Sequence, residues 1–467
     1  MDKSVKFGIM LAIASIAILA GCGGGSGSSS SSTTGSGSSG SGSGSTTVNN
    51  TAPLIIDEGP AAAIAAGVAD NDIAFTTITV CVPGTSSCQT IDHVQVDTGS
   101  EGLRLPTAVL TTVSLTQQTT FECLGFADGS FVWGPLATAD IQIAGEVAHN
   151  VPIQLASSSL PPASANNAGC TTTSSGGLSS NQIFTVPQFG ANGIVGVGVF
   201  RQDCGQGCLS ANNSIYFNCA TATCNPIIQS LTTQVQNPVW MFAGDNNGVI
   251  LQLPSISANG QATATGSLIF GIGTQSDNGI GSATAIIPDL GTGNFAANFQ
   301  GVLFNDVTAS GPGGTGGAAF IDSGSNGLFF LDSATLSNPP PFSASNPNSG
   351  FGINMPDCPT SGPNALQGFY CPGGLTTIPG GSGGLTIFSE SSQDIPVGSG
   401  KNVTLNINNG VSLVFTSNSA FDDLGGPNPN TFDLGLPFFF GQNVYFGIEG
   451  QSIPLFGSGV TGPLYAF

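Results

Sequence analysis

The sequence predicts an all-β chain arranged as two lobes, and three observations carry that prediction. Apolar and polar residues alternate over short stretches that break at Gly, Pro, Asn or Ser every ten residues or so, the period of half-buried strands. Glycine and proline are abundant, 69 and 29 of 467 residues, which suits tight turns. A short motif early in the patterned region recurs far downstream, as a duplicated unit would require. Apolar residues make up 40% of the chain, with 30 Phe among all its residues, so it can bury enough surface to offset the entropy of ordering.

The charge balance removes several classes of partner. Five Lys and Arg face 26 Asp and Glu, a formal charge of −21. Phosphate neutralisation needs clustered basic side chains, so no nucleic-acid partner is expected. A basic membrane-surface patch is excluded on the same ground.

In chain order, Lys3 and Lys6 precede an apolar run from Phe7 to Ala20 and then Leu19-Ala20-Gly21-Cys22. Residues 1–22 read as a secretory signal whose end resembles a bacterial lipobox. That resemblance implies a mature chain starting at Cys22, lipidated there and anchored in the bacterial cell envelope. The apolar run falls short of the ~20 residues that a bilayer span needs. Gly23, in place of Asp after the cysteine, resembles an outer-membrane sorting signal. Residues 23–52 are almost all Gly, Ser and Thr, a flexible tether.

The remaining chain exceeds one sandwich, so residues 53–280 are expected as an N-terminal lobe and 281–467 as a C-terminal lobe. Representative strands are Ile91 to Val96, Ala139 to Ile143, Gly248 to Leu253, Ser267 to Phe270, Val403 to Ile407 and Val444 to Ile448. Eleven cysteines, less Cys22, leave an even number in an oxidising compartment, which reads as disulfides. Sequence alone does not fix their connectivity. The close pairs Cys81/Cys88, Cys204/Cys208, Cys219/Cys224 and Cys358/Cys371 suggest loop staples, leaving Cys123 and Cys170 for each other. Zinc is the competing reading of Cys204 to Cys224, but no histidine lies near.

The repeated motif is the most informative feature. Asp97-Thr98-Gly99-Ser100-Glu101-Gly102-Leu103 recurs as Asp322-Ser323-Gly324-Ser325-Asn326-Gly327-Leu328, and each copy follows a short apolar strand, Val94 to Val96 and Ala318 to Ile321. A strand that ends in Asp, a hydroxyl residue and Gly must turn sharply and present a carboxylate beside hydroxyls and backbone N–H groups. Two such turns facing one another set two carboxyls together. Like charges that close cannot both ionise, so the pair holds one proton. Such a pair can take a proton from water while its protonated member polarises a carbonyl oxygen, as amide hydrolysis requires.

On these residues the chain resembles the pepsin-like aspartic proteases, from about residue 75 to the C-terminus. The resemblance implies a bilobal pepsin-like fold of two pseudo-symmetric β-barrel-like lobes with a cleft between them. It makes Asp97 and Asp322 the catalytic pair, supported by Thr98, Gly99, Ser100, Ser323, Gly324 and Ser325. Thr98 and Ser323 fall where the family's loops grip one another, and Ser100 and Ser325 where hydroxyls support the carboxylates. Gly193-Ile194-Val195-Gly196 matches the element that threads behind the first catalytic loop. Asp433-Leu434-Gly435-Leu436-Pro437-Phe438-Phe439-Phe440, with Asn443 to Phe446, is similar to the C-terminal signature. Leu268 to Gly271 is similar to the strand that closes the first lobe. The same likeness points to a bacterial lipoprotein branch under a domain-of-unknown-function label.

The chain also departs from the family. The flap hairpin is best matched by Phe126-Ala127-Asp128-Gly129-Ser130, continuing into Ala139 to Gly145, so Phe126 stands where the family has a tyrosine and offers no hydroxyl. Arg104 stands where the tyrosine's tryptophan partner would be, and Trp133 is a candidate replacement for that packing. Arg104 has two readings: a functional one, as a clamp for a substrate carboxylate or a charge that depresses the pair's pKa, and a bland one, as a structural ion pair to Glu101 or Asp128. Phe126, Asp128, Gly129 and Arg104 are therefore assigned to flap and cleft. The family's basic pro-segment has no counterpart between Cys22 and the first strand, so an active enzyme is expected to be constitutive or controlled by cleft geometry.

Other motifs carry less. Gly380 to Gly384 satisfies G-x-S-x-G without a following helix. His93 lies ~13 Å back along the strand from Asp97 and is read as core or surface. Asp70, Asp72 and Asp92 lack the spacing of a calcium loop. The leading expectation is a cell-envelope aspartic endopeptidase with a peptide or protein substrate, no cofactor and no metal. The alternative is a catalytically weak or inactive lipoprotein of the same fold that binds peptide, protein or another ligand in the cleft, since fold alone does not confer activity.

Overall fold

The computed structural model describes residues 49–467, except 69, 127, 160, 163–169, 171–180, 211–213, 222, 306–318, 344, 347, 391–395 and 456–457. The signal, Cys22 and most of the tether lie outside the described residues. Strands dominate, as the alternating pattern predicts. The first, β1 (Thr51–Ile56), begins two residues inside the segment read as tether. It is followed by β2 (Phe75–Cys81), β3 (Cys88–Asp97), β4 (Glu101–Pro106), β5 (Thr120–Gly125), β6 (Phe131–Ile143), β7 (Glu146–Ala156) and β8 (Gly193–Val197).

Most strands join one sheet of 15. From one edge its order is Asn225–Pro226, Tyr216–Asn218, β5, β6, β7, β4, β8, β3, β2, β1, Ala264–Phe270, Gly248–Gln252, Asn443–Gly447, Leu464–Ala466 and Ala285–Ile286. Strand β2 also pairs with β6, Val80 opposite Ile141, which closes β6, β7, β4, β8, β3 and β2 into a ring. Closure removes the exposed edges that an open sheet presents. Strands from both sides of residue 280 share this sheet, because Gly248–Gln252 pairs with Asn443–Gly447. Val403 to Ile407, read as one strand, is split at Thr404 between Pro396–Val403 and Leu405–Ile407.

Two places repeat one arrangement. Strand β3 runs parallel to β8, Val96 opposite Val195, and β4 runs antiparallel to the same β8, Leu103 opposite Val195. Downstream, Ala319–Ile321 runs parallel to Asn428–Leu434, and Leu328–Leu331 antiparallel to it. Each time, a strand, an Asp-containing turn and a second strand flank a third strand inserted between them. The inserted strand needs glycine at the turn, since a Cβ on Gly196 would lie 2.6 Å from the Glu101 backbone and one on Gly435 2.1 Å from the Gly327 carbonyl oxygen.

Apolar packing fixes these strands. Phe432, wholly buried, meets Phe304 at 5.2 Å between ring centroids, edge to face, and Phe299 at 5.6 Å. Removing such a ring from a core costs about 3–5 kcal/mol, and here it would loosen the strand that carries Asp433. All five expected disulfides are present: Cys81–Cys88, Cys123–Cys170, Cys204–Cys208, Cys219–Cys224 and Cys358–Cys371. Among the described residues no helix is long and apolar enough to cross a membrane.

Candidate active site

The two Asp turns meet in the interior. Their hydroxyl residues hold one another by crossed bonds: the Thr98 amide donates to Ser323 Oγ at 3.1 Å, and the Ser323 amide donates to Thr98 Oγ1 at 2.8 Å. Ser323 Oγ donates onward to the Val96 carbonyl at 2.7 Å, while Thr98 Oγ1 lies 3.5 Å from the Ile321 carbonyl. Gln95 ties the turns again, its Nε2 donating to the Gly324 carbonyl at 3.1 Å. Thr98 and Ser323 are buried, so each of these bonds also satisfies a group that water cannot reach.

Within this frame the carboxyls of Asp97 and Asp322 lie against each other. A Cβ on Gly99 would fall 2.5 Å from Asp322 Cγ, and one on Gly324 would fall 2.6 Å from Asp97 Oδ1. Each carboxyl thus packs on the glycine of the opposite turn, which is why that position has no side chain. The Gly99 amide donates to Asp97 Oδ1 at 2.8 Å, and Ser100 Oγ to Asp97 Oδ2 at 2.5 Å. The Gly324 amide donates to Asp322 Oδ1 at 2.6 Å, and Ser325 Oγ lies 3.1 Å from Asp322 Oδ2. Burial raises the Asp322 pKa well above the usual carboxylate range, and the charge of Asp97, within hydrogen-bonding reach, raises it further. The pair can therefore hold one proton between two oxygens.

A third carboxyl stands at the same place. Asp433, 1% exposed, accepts the Ser325 hydroxyl at 2.6 Å through Oδ2, and its Oδ1 has no hydrogen-bond partner among the described residues. Burial again raises its pKa, with Asp97 adding to the effect. The sequence places Asp433 in a motif but gives it no role, because its contact with Ser325 spans 108 residues.

A cavity of about 740 Å³ adjoins the pair. Thr98, Gly99, Ser100 and Glu101 from the first turn line it, as do Phe320 and Ile321 from the strand leading to Asp322. The two carboxyls are not themselves in its wall; the turns that carry them are. Glu101 is pushed up to about 8 by burial, against the hydrogen bond from the Phe200 amide and with the charge of Asp97. Nothing local in the sequence indicates the burial of Glu101 in that wall.

Of the residues assigned to flap and cleft, Phe126 and Arg104 line the cavity, and Asp128 and Gly129 do not. A hairpin does join β5 to β6 here, with the Phe126 amide donating to the Ser130 carbonyl at 2.8 Å. Phe126 lines the cavity but is only 8% exposed and packs with Ile73, Phe75, Val132 and Phe189 as core. Asp128 and Gly129 sit at the exposed tip, outside the cavity wall. Trp133 does not replace the missing packing at Phe126; it is buried with Phe121, Phe217 and the Cys123–Cys170 disulfide.

Arg104 is a structural ion pair, though with neither expected carboxylate. Its Nη2 donates to Glu122 Oε1 at 3.0 Å and Asp203 Oδ2 at 3.1 Å, and its Nη1 to the Glu101 carbonyl oxygen at 2.6 Å. Tyr216 completes the cluster, its hydroxyl donating to Asp203 Oδ1 at 2.7 Å. With two carboxylates already on the guanidinium and its side chain fully buried, Arg104 is not a free clamp for substrate. His93, read as core or surface, lies between Asp57 and Asp92, at 3.2 and 3.0 Å.

The model of the family described as protein of unknown function, DUF3443, matches residues 46–467, and the chain belongs to that family. None of the curated proteins compared with the chain matches it.

Proposed function

We propose that this member of the family is an aspartic endopeptidase of the cell envelope, with the bilobal architecture of the pepsin-like enzymes. The observation that carries the reading is the pair of interlocked Asp turns, each carboxyl resting on the other's glycine and each hydroxyl residue accepting the other's amide. The repeated strand arrangement around the two turns supports the same reading. In it Asp97, which has two donors, is the base that takes a proton from water, and Asp322 carries the shared proton to the carbonyl oxygen of the scissile amide. Collapse of the resulting tetrahedral centre returns a proton to the departing nitrogen, and the carboxyl pair regains its starting state. The substrate lies extended along the cavity beside the turns. Lipid on Cys22 holds the enzyme at the envelope, at the outer membrane by the resemblance of its sorting signal.

A second reading, a ligand-binding protein without turnover, is favoured by one observation. Phe126 is part of the core and has no hydroxyl to offer to a substrate or water. Incubation with a mixed peptide library from acid to neutral pH, with and without pepstatin, separates the two. The peptidase reading predicts cleavage that pepstatin blocks and Asp97→Asn abolishes. Cleavage indifferent to both would remove the carboxyl pair from the mechanism, and no cleavage at any pH leaves the binding reading.

A further inference from the structure

The two carboxyls of the pair are not equivalent, and the difference comes from outside both motifs. Each turn ends in a serine three residues after its aspartate. Ser100 Oγ lies 2.5 Å from Asp97 Oδ2, and among the described residues no third acid accepts its hydrogen. Ser325 Oγ has two carboxylate acceptors, Asp433 Oδ2 at 2.6 Å and Asp322 Oδ2 at 3.1 Å, and one hydrogen to give. We infer that Asp433 is a positioning residue of the carboxyl pair: by taking the Ser325 hydroxyl it leaves Asp322 with the Gly324 amide alone, where Asp97 has an amide and a hydroxyl, and so assigns the shared proton to Asp322.

The chemistry follows from counting donors. An ionised carboxylate is stabilised by each hydrogen bond it accepts, and hydrogen bonds to charged groups contribute about 1.5–3 kcal/mol. The member with fewer donors is the one that binds the proton. While ionised, Asp433 also sets a negative charge beside Asp322, which acts in the same direction. The titratable groups that act on Asp433 are Asp322 and Asp97, from the two turns. The strands that flank it, Ala319–Ile321 and Leu328–Leu331, carry no ionisable side chain. Asp433 Oδ1 is buried without a hydrogen-bond partner among the described residues, so the hydroxyl of Ser325 is the bond that holds this carboxyl.

For catalysis this assignment rests on the peptidase reading, but where the proton sits is measured without turnover. The full chain, labelled with carbon-13 at the aspartate carboxyls, is titrated by NMR, and Asp322 is identified by the signal lost in Asp322→Asn. The inference predicts that Asp433→Ala frees the Ser325 hydroxyl for Asp322 and lowers the Asp322 titration by about one to two pH units. Adding Ser325→Ala to that variant reverses most of the shift. Ser325→Ala alone, a mild change, leaves the Asp322 titration within a few tenths of a unit, because the hydroxyl serves Asp433. Asp433→Asn, of the same shape, keeps an acceptor for Ser325 and moves Asp322 less than Asp433→Ala does. In the peptidase the basic limb of the pH–rate profile moves with Asp322 in each variant. The inference is overturned if Asp322 titrates in Asp433→Ala as in the wild type, or if Ser325→Ala alone raises it by a full unit. Failure to cleave any peptide would sink the peptidase reading and leave the titration result standing.

Discussion

Replacing Thr98 by valine tests the coupling of the two turns. The change keeps shape and branching but removes Oγ1, which accepts the Ser323 amide at 2.8 Å and lies 3.5 Å from the Ile321 carbonyl. Ser323 is wholly buried, so its N–H then has neither protein partner nor water. An unsatisfied buried donor costs about 1–3 kcal/mol, and the longer bond to Ile321 adds at most about 1 kcal/mol. Thr98→Val is therefore expected to destabilise the chain by about 1–4 kcal/mol in urea unfolding with the disulfides intact. Ser323→Ala removes the acceptor of the Thr98 amide and the donor to Val96, for a similar cost. Both act on the same crossed bonds, so the double variant is expected to lose about 0.5–3 kcal/mol less than the sum of the singles. In the peptidase reading the loosened turns also misplace the carboxyls, and a 1 Å error costs about 10²-fold in rate. Single variants within about 0.5 kcal/mol of wild type, or a strictly additive double, would refute the argument, because the turns would then be held by something other than this grip.

Two further outcomes are expected. Arg104→Met leaves Glu122 and Asp203 buried without their cation and is expected to cost about 3–5 kcal/mol in urea unfolding, while adding Glu122→Gln and Asp203→Asn recovers much of it; a loss below about 1 kcal/mol would contradict the ion-pair account. Burial pushes Asp70 and Glu101 up to about 8 and Glu146 up to about 7, from ordinary values of 3.8, 4.5 and 4.5. Their folded states bind protons more tightly than the unfolded chain does, so their contribution is complete below those ordinary values and is lost as pH rises through about 7 to 8. The thermal midpoint is accordingly expected to fall between about pH 5 and about pH 8.5, and Glu146→Gln to flatten that fall; a midpoint that rises over this range would contradict it.

Features that depend on residues close in sequence were the ones most legible there. The doubled turn and its glycines, the alternating strands and the cysteines a few residues apart all have local signatures, and the structure has each of them. The Cys123–Cys170 bridge, 47 residues apart, has no local signature and follows only from the closeness of the other pairs. What sequence did not convey depends on distance along the chain. Arg104 meets Asp203 across 99 residues, and Ser325 meets Asp433 across 108. Nothing beside Arg104 marks those partners, so Glu101 and Asp128 stood as candidates on proximity alone. Phe126 was placed in the flap by its neighbours in sequence, whereas its side chain follows the apolar surface of Phe75, Val132 and Phe189 into the core. Asn443–Gly447 and Leu464–Ala466 join the 15-stranded sheet for the same kind of reason, a register that only three-dimensional packing selects.

The most direct test of the central claim is to ask whether the two carboxyls act as one unit. Peptide cleavage is compared among wild type, Asp97→Asn, Asp322→Asn and the double variant, with folding verified in each by the thermal midpoint. Two acids that share one proton and one water fail together, so each single change is expected to abolish turnover by as many orders of magnitude as the double does. Losses that add, or a single variant that keeps a substantial fraction of wild-type activity, would show that Asp97 and Asp322 do not form the reacting pair.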